Sequence, residues 1–179
     1  MRASCDGLCS HNVVAAMTEV IDLVGEEDSP HMRVSFEVPG KPLPEKRMRM
    51  GRWGLYHPGS KEKAAFRKTV QELVPATQHG AVFPTGTPVT MEVHFWMRRP
   101  NSDFKASRRL IGILKNSVPF VRPIVPDIDN LLKFVLDGMN RLVYHDDSQV
   151  VKIVVLKLLD NEGSCEGRTQ IDVYPFVMP

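Results

Sequence analysis

From Met32 onward the chain carries a readable rhythm of apolar and polar positions. Met32, Val34, Phe36 and Val38 alternate with polar residues, which predicts a strand ended by Pro39-Gly40 and Pro42. Residues 41–59, rich in Pro, Gly and bases, read as a loop. Ser60 is placed to cap a helix running to about Val74, with Phe66, Val70, Leu73 and Val74 as its apolar stripe. Residues 75–88 form a turn-rich connection. Residues 88–97 are the cleanest strand, with Val89, Met91, Val93, Phe95 and Met97 alternating against polar neighbours. Residues 98–125 are basic and weakly patterned, with a helix expected over 107–114. Asp127 or Asp129 starts a helix to about Asn140 whose apolar members are Leu131, Leu132, Phe134, Val135, Leu136 and Met139. Residues 149–159 are a β-branched run that predicts a strand buried on both faces. Residues 170–177 predict a short final strand, placed at a sheet edge by Pro175.

Helices and strands mix without a regular βαβ repeat, so the expected fold is α+β, a single domain with one mixed β-sheet packed by helices. Two segments divide the chain: an acidic extension over 1–31 and a domain over 32–179. In the extension, Val13, Val14, Met17, Val20, Ile21 and Val24 recur at helical spacing, and a short amphipathic helix and a disordered arm stand as equal readings. With 42% hydrophobic and 25% charged residues the composition is that of an ordinary globular protein. No apolar stretch reaches the roughly eighteen residues a membrane helix needs. The first thirty residues lack the pattern of a secretory signal, and their acidity argues against a transit peptide. Cys5, Cys9 and Cys165 lack zinc-ligand spacing and read as free thiols, which implies an intracellular, reducing compartment such as the cytoplasm or nucleoid.

Net charge is only +2, but its distribution is uneven. Residues 41–67 hold eight bases and two acids, and residues 98–122 hold seven bases and one acid. Residues 127–147 reverse the sign, with five aspartates against Lys133 and Arg141. Bases that hold a polyanion beside acids that hold a cation is the pattern of a phosphate-handling metal enzyme. Asp127 and Asp129 lie just before or within the first turn of the predicted helix, where backbone N–H groups favour negative charge. Asp129, Lys133 and Asp137 recur every four residues and share one helix face. Asp146 and Asp147 lie at the entry to the following strand. A helix packed on that strand could return them to Asp127 and Asp129. Crowded carboxylates cannot all ionise unless a cation joins them. Hard oxygen donors without His or Cys suit Mg²⁺, with Mn²⁺ able to substitute, and no further cofactor. The plainer alternative makes Asp127 a helix cap, Lys133 a salt-bridge partner and Asp146-Asp147-Ser148 a turn.

The run Asp127-Ile-Asp-Asn-Leu-Leu-Lys133, then Leu136-Asp-Gly-Met-Asn140, then Tyr144-His-Asp-Asp-Ser-Gln-Val-Val-Lys-Ile153 resembles the signature of RusA-type endodeoxyribonucleases. Val38-Pro-Gly-Lys-Pro42 and the basic loop after it resemble that family too, and the likeness covers roughly 33–175. It implies a homodimer that binds four-way (Holliday) DNA junctions and makes paired symmetric cuts with Mg²⁺ or Mn²⁺, in recombination and repair. By motif position it makes Asp127, Asp129 and Asp147 catalytic, metal-holding acids, Lys133 a catalytic lysine and Asp146 a supporting metal ligand.

Two basic stretches are the expected DNA surface. Lys41, Lys46, Arg47, Arg49, Arg52, Lys61 and Lys63 surround Trp53 and Tyr56, whose rings could stack on a splayed base unless Trp53 is instead tucked into the core. Arg98, Arg99, Lys105, Arg108 and Arg109 are the second. Two other functions fit parts of the pattern. A non-catalytic branched-DNA-binding subunit would keep the bases and the fold. A DxD metal-dependent nucleotidyl or glycosyl transferase would use Asp127 and Asp129, though no Gly-rich phosphate loop accompanies them.

Overall fold

A computed structural model describes residues 32–74, 80–105, 113–160 and 166–178. The extension over 1–31, the three cysteines, and Arg108 and Arg109 lie outside the described residues. The elements are β1 (Val34–Pro39), β2 (Arg49–Gly51), β3 (Gly54–Tyr56), α1 (Ser60–Leu73), β4 (Val89–Met97), α2 (Ile128–Met139), β5 (Val150–Leu159) and β6 (Gly167–Pro175). Four strands form one mixed sheet in the order β1-β6-β4-β5. β6 pairs antiparallel with both β1 and β4, whereas β4 and β5 run parallel. No described helix is long and apolar enough to cross a membrane. The architecture is the expected α+β domain.

Alternation along the strands builds the core. Met91, Val93, Phe95 and Met97 of β4 lie beside Ile171 and Val173 of β6 and Val34 and Phe36 of β1, all buried. The apolar stripes of α1 and α2 cover this face, with the rings of Phe66 and Phe134 meeting edge to face at 5.4 Å. Gly138 lets the helices approach: a Cβ there would stand 2.6 Å from two carbons of the Phe66 ring.

Several sequence expectations are corrected. β5 is not buried on both faces; it is an edge strand, and Val151, Ile153, Val154 and Leu156 are exposed. β6 is not an edge but lies between β1 and β4; Pro175 is tolerated because it ends the strand, opposite Val89. The loop after β1 contains a hairpin, β2–β3. Ser60 does not cap α1: Gly59 holds that position, and the Ser60 hydroxyl donates to the His57 carbonyl at 2.8 Å. Of the helix expected over 107–114, residues 107–112 lie outside the described residues, and Leu114 instead bridges Phe104 in extended backbone. Met32 precedes β1 and is exposed.

Candidate functional site

α2 carries two of the candidate acids at its start. Asp127 is the N-cap residue, with extended backbone at φ −67° and ψ 147°, yet its carboxylate makes no capping hydrogen bond. Asp129 follows in the first turn and Lys133 one turn on, and all three are exposed. Among the described residues none of their side chains has a hydrogen bond or ion pair, so the plainer reading of a cap and an intrahelical salt bridge fails for them. Asp137, on the same face by spacing, is drawn away to α1, where Lys63 pairs with it at 3.1 Å. The chain leading into α2 is tied to β5, because the Lys157 ammonium donates to the carbonyls of Ile124 at 2.6 Å and Pro126 at 2.9 Å.

The other two acids stand by the far end of α2. Tyr144 is buried and its hydroxyl donates to the Leu136 carbonyl at 3.0 Å; burial, then the nearby charge of Asp147, pushes that hydroxyl above the usual tyrosine range. Asp146 is occupied with local structure. Its carboxylate accepts from the Ser148 N–H at 3.0 Å, and the Gln149 side chain accepts from its N–H at 3.2 Å. Hydrogen bonds from the Ser148 side chain and backbone hold the Asp146 carboxyl below the usual carboxylate range. Gln149 is buried and anchors this turn by donating to the carbonyls of Pro84 at 2.7 Å and Thr87 at 3.0 Å. Asp147 is exposed and, among the described residues, its side chain has no hydrogen bond or ion pair.

The aspartates therefore form two groups, not one. Asp127 is nine positions from Leu136, roughly 14 Å along a helix at about 1.5 Å per residue. Among the described residues no three His, Cys, Asp or Glu side chains stand close enough to hold a metal ion. The donor chemistry suits a hard divalent cation, though among the described residues no three of these acids gather at one point within a single copy.

The first basic stretch is presented outward. Lys41, Arg47, Arg49, Arg52 and Lys61 are exposed, and Lys46 is half-buried against Glu62, its ammonium 2.5 Å from the carboxylate. Trp53, at the tip of the β2–β3 hairpin, is 92% exposed, with the Arg52 guanidinium 5.3 Å from its ring centre, so it is not in the core. Sequence reading missed this hairpin because its strands are three residues long; the two glycines bracketing Arg52-Trp53 were the available signal, Gly54 taking φ +116°. It missed as well the anchor beneath the hairpin. There Glu45 meets His57 at 2.6 Å and Lys63 at 2.7 Å, and the Glu45 N–H donates to the Asn130 carbonyl of α2 at 2.8 Å.

The second stretch divides. Arg98 is exposed and Lys105 half-buried. Arg99 is only 3% exposed and is structural: it donates to the carbonyls of Asp160 and Pro119, each at 2.8 Å, and pairs with Asp103 at 3.3 Å. A guanidinium can reach so many acceptors at once because of its forked donors, and its burial closes it to a phosphate.

Two comparisons bear on this arrangement. A family model described as "Endodeoxyribonuclease RusA" matches residues 39–174. The chain is similar to "Uncharacterized protein YqaN" of Bacillus subtilis (strain 168), with 33% identity over 138 residues that cover 74% of this chain and 92% of the relative.

Proposed function

The chain belongs to the RusA endodeoxyribonuclease family, and from that premise we propose that it is a structure-selective endonuclease resolving four-way DNA junctions with a divalent cation. The observation that carries the proposal is the set Asp127, Asp129 and Lys133: charged, exposed, unengaged among the described residues and held at one helix start inside the matched segment. Charged side chains fixed in place without partners serve binding better than stability. Asp147 joins them for the same reason, ahead of Asp146, whose oxygens serve the turn.

The exposed bases of the first stretch and the hairpin tip hold the junction through its phosphates, and Trp53 stacks on a base splayed at the crossover. Lys133 offsets charge building on the scissile phosphate as water attacks in line with the departing 3′ oxygen. Mg²⁺, with Mn²⁺ as substitute, would supply water activation and charge neutralisation when bound. Two opposed cuts on a two-fold symmetric substrate call for a two-fold homodimer.

The test is a labelled synthetic four-way junction incubated with Mg²⁺. Paired symmetric cuts are expected, lost on chelation. Asp127→Asn should lower cutting by about 100-fold or more while leaving binding within about twofold, because the charge it removes acts on the reacting phosphate. Wild-type protein that binds the junction and never cuts it with either metal would leave the non-catalytic subunit as the better reading.

A further inference from the structure

The β2–β3 hairpin is an arm that buries little of itself. Met48, Met50, Trp53, Leu55 and Tyr56 are all exposed, from 49% to 92%. Apolar side chains left in water contribute almost nothing to fixing the direction of the segment that carries them. The direction of the arm is set at its base. There Glu45, before the arm, meets His57, after it, at 2.6 Å. The His57 Nδ1 accepts from the Gly59 N–H at 3.2 Å, so the ring proton sits on Nε2 and is donated to the Glu45 carboxylate. The other Glu45 oxygen takes the Lys63 ammonium of α1 at 2.7 Å. The Glu45 N–H donates to the Asn130 carbonyl at 2.8 Å, in the first turn of α2 between Asp129 and Lys133.

Glu45 thus touches the far foot of the arm, α1 and the start of α2 at once. Its side chain is only 11% exposed, so water competes little for these bonds. Lys46 and Glu62 also pair at the base, but both are half in solvent, where an ion pair fixes geometry weakly. The arm carries Lys46, Arg47, Arg49, Arg52 and Trp53, and the start of α2 carries Asp127, Asp129 and Lys133. Phosphate held by the first group must lie at a fixed distance from the second, because misplacing reacting groups by about 1 Å costs roughly 100-fold in rate. Resting on the nuclease reading above, we propose that Glu45, held by His57, is a positioning residue that fixes the arm against α2 and so decides which phosphodiester is cut relative to the branch point. A residue that served stability alone would change how much protein is folded and leave the place of the cut as it was.

Glu45→Ala and His57→Ala test this. Each removes one side of the pair and keeps every base of the arm. Circular dichroism checks folding, and His57→Ala carries the test if Glu45→Ala does not fold. On a labelled junction with a fixed branch point, saturating wild type with Mg²⁺ should cut one phosphodiester per strand. The variants should spread their cuts over neighbouring phosphodiesters and cut about 10-fold more slowly. Binding should stay within about threefold, because the phosphate contacts remain. Val70→Ala opens the buried core without touching the base, and should keep the wild-type cut position. A second readout needs no cutting. Spin labels at Leu55→Cys and Ile128→Cys, in a chain whose three cysteines are replaced by serine, should give a narrow distance distribution by double electron–electron resonance. That distribution should broaden when Glu45 or His57 becomes Ala. Folded variants that cut only at the wild-type phosphodiester, or whose label distances do not broaden, would overturn the proposal, and so would equal scatter in Val70→Ala. Wild-type protein that binds junctions and never cuts removes the nuclease reading and this role with it, whereas a cutting wild type with unmoved variants removes this role alone.

Discussion

Lys63 stands in the first basic stretch, where its charge alone would assign it to phosphate binding. Its ammonium instead sits between Glu45 at 2.7 Å and Asp137 at 3.1 Å, joining the loop after β1, α1 and α2. Burial by itself lowers its pKa, but the hydrogen bonds to Glu45 and Asp137 outweigh that and leave it raised above 10.5. Lys63→Met leaves two carboxylates without their shared cation and should destabilise the fold by about 1–3 kcal/mol, measured by urea unfolding at neutral pH. Because the folded-state pKa is the higher one, this contribution is fully present below the unfolded value. It is lost as pH rises through the folded value, so wild type and variant should converge only in strong alkali. Equal stability of the two at neutral pH would contradict the role. Arg99 teaches the same lesson. Residue type announced a cation in both cases, but some of the acceptors that engage it lie far along the chain, such as Asp137 for Lys63 and the Asp160 carbonyl for Arg99, and no local pattern records those.

Among the elements, those with one clear period were legible. α2 spans Ile128–Met139 with Asp127 at the position just before it, and β4 runs as its alternation indicated, because each buries one stripe against the same core. Strand order was not legible. The β-branched run of β5 reads alike at a sheet centre and at an edge, and Pro175 suggested an edge although it only terminates a central strand. The hairpin β2–β3 was hidden by its shortness, yet it gives Trp53 its position. Trp53→Ala should weaken junction binding by about 1–3 kcal/mol, the worth of one stacked base, and should affect linear duplex binding less. Its melting temperature should match the wild type's, because a ring 92% exposed packs against little. Equal losses for junction and duplex would mean that Trp53 does not read the branch point.

Across the whole molecule, the charge blocks were visible in the sequence, and the acids were legible as residues though not as an assembly. Lys41, Arg47, Arg49, Arg52, Lys61 and Arg98 are exposed, and on the proposed reading they meet phosphates. Junction affinity should therefore fall steeply with salt, and Arg49→Ala should flatten the slope of log affinity against log salt by roughly one. An unchanged slope would remove Arg49 from the interface.

The place of β6 in the sheet has a consequence for how the protein is made. Among the described residues β1 finds its only sheet neighbour in β6, with Val34 opposite Val173, and β6 also joins β1 to β4. Chains emerge from the ribosome N-terminal end first. A nascent chain that has reached β5 holds the aspartates and the basic loop, yet β1 has nothing to pair with and β4 lacks one of its two neighbours. The sheet closes only when the segment from Gly167 to Pro175 is threaded into its middle. During synthesis the acids and the basic loop are thus spelled out before the scaffold that organises them, and a transcript cut short ahead of this strand yields an unclosed sheet rather than a trimmed domain.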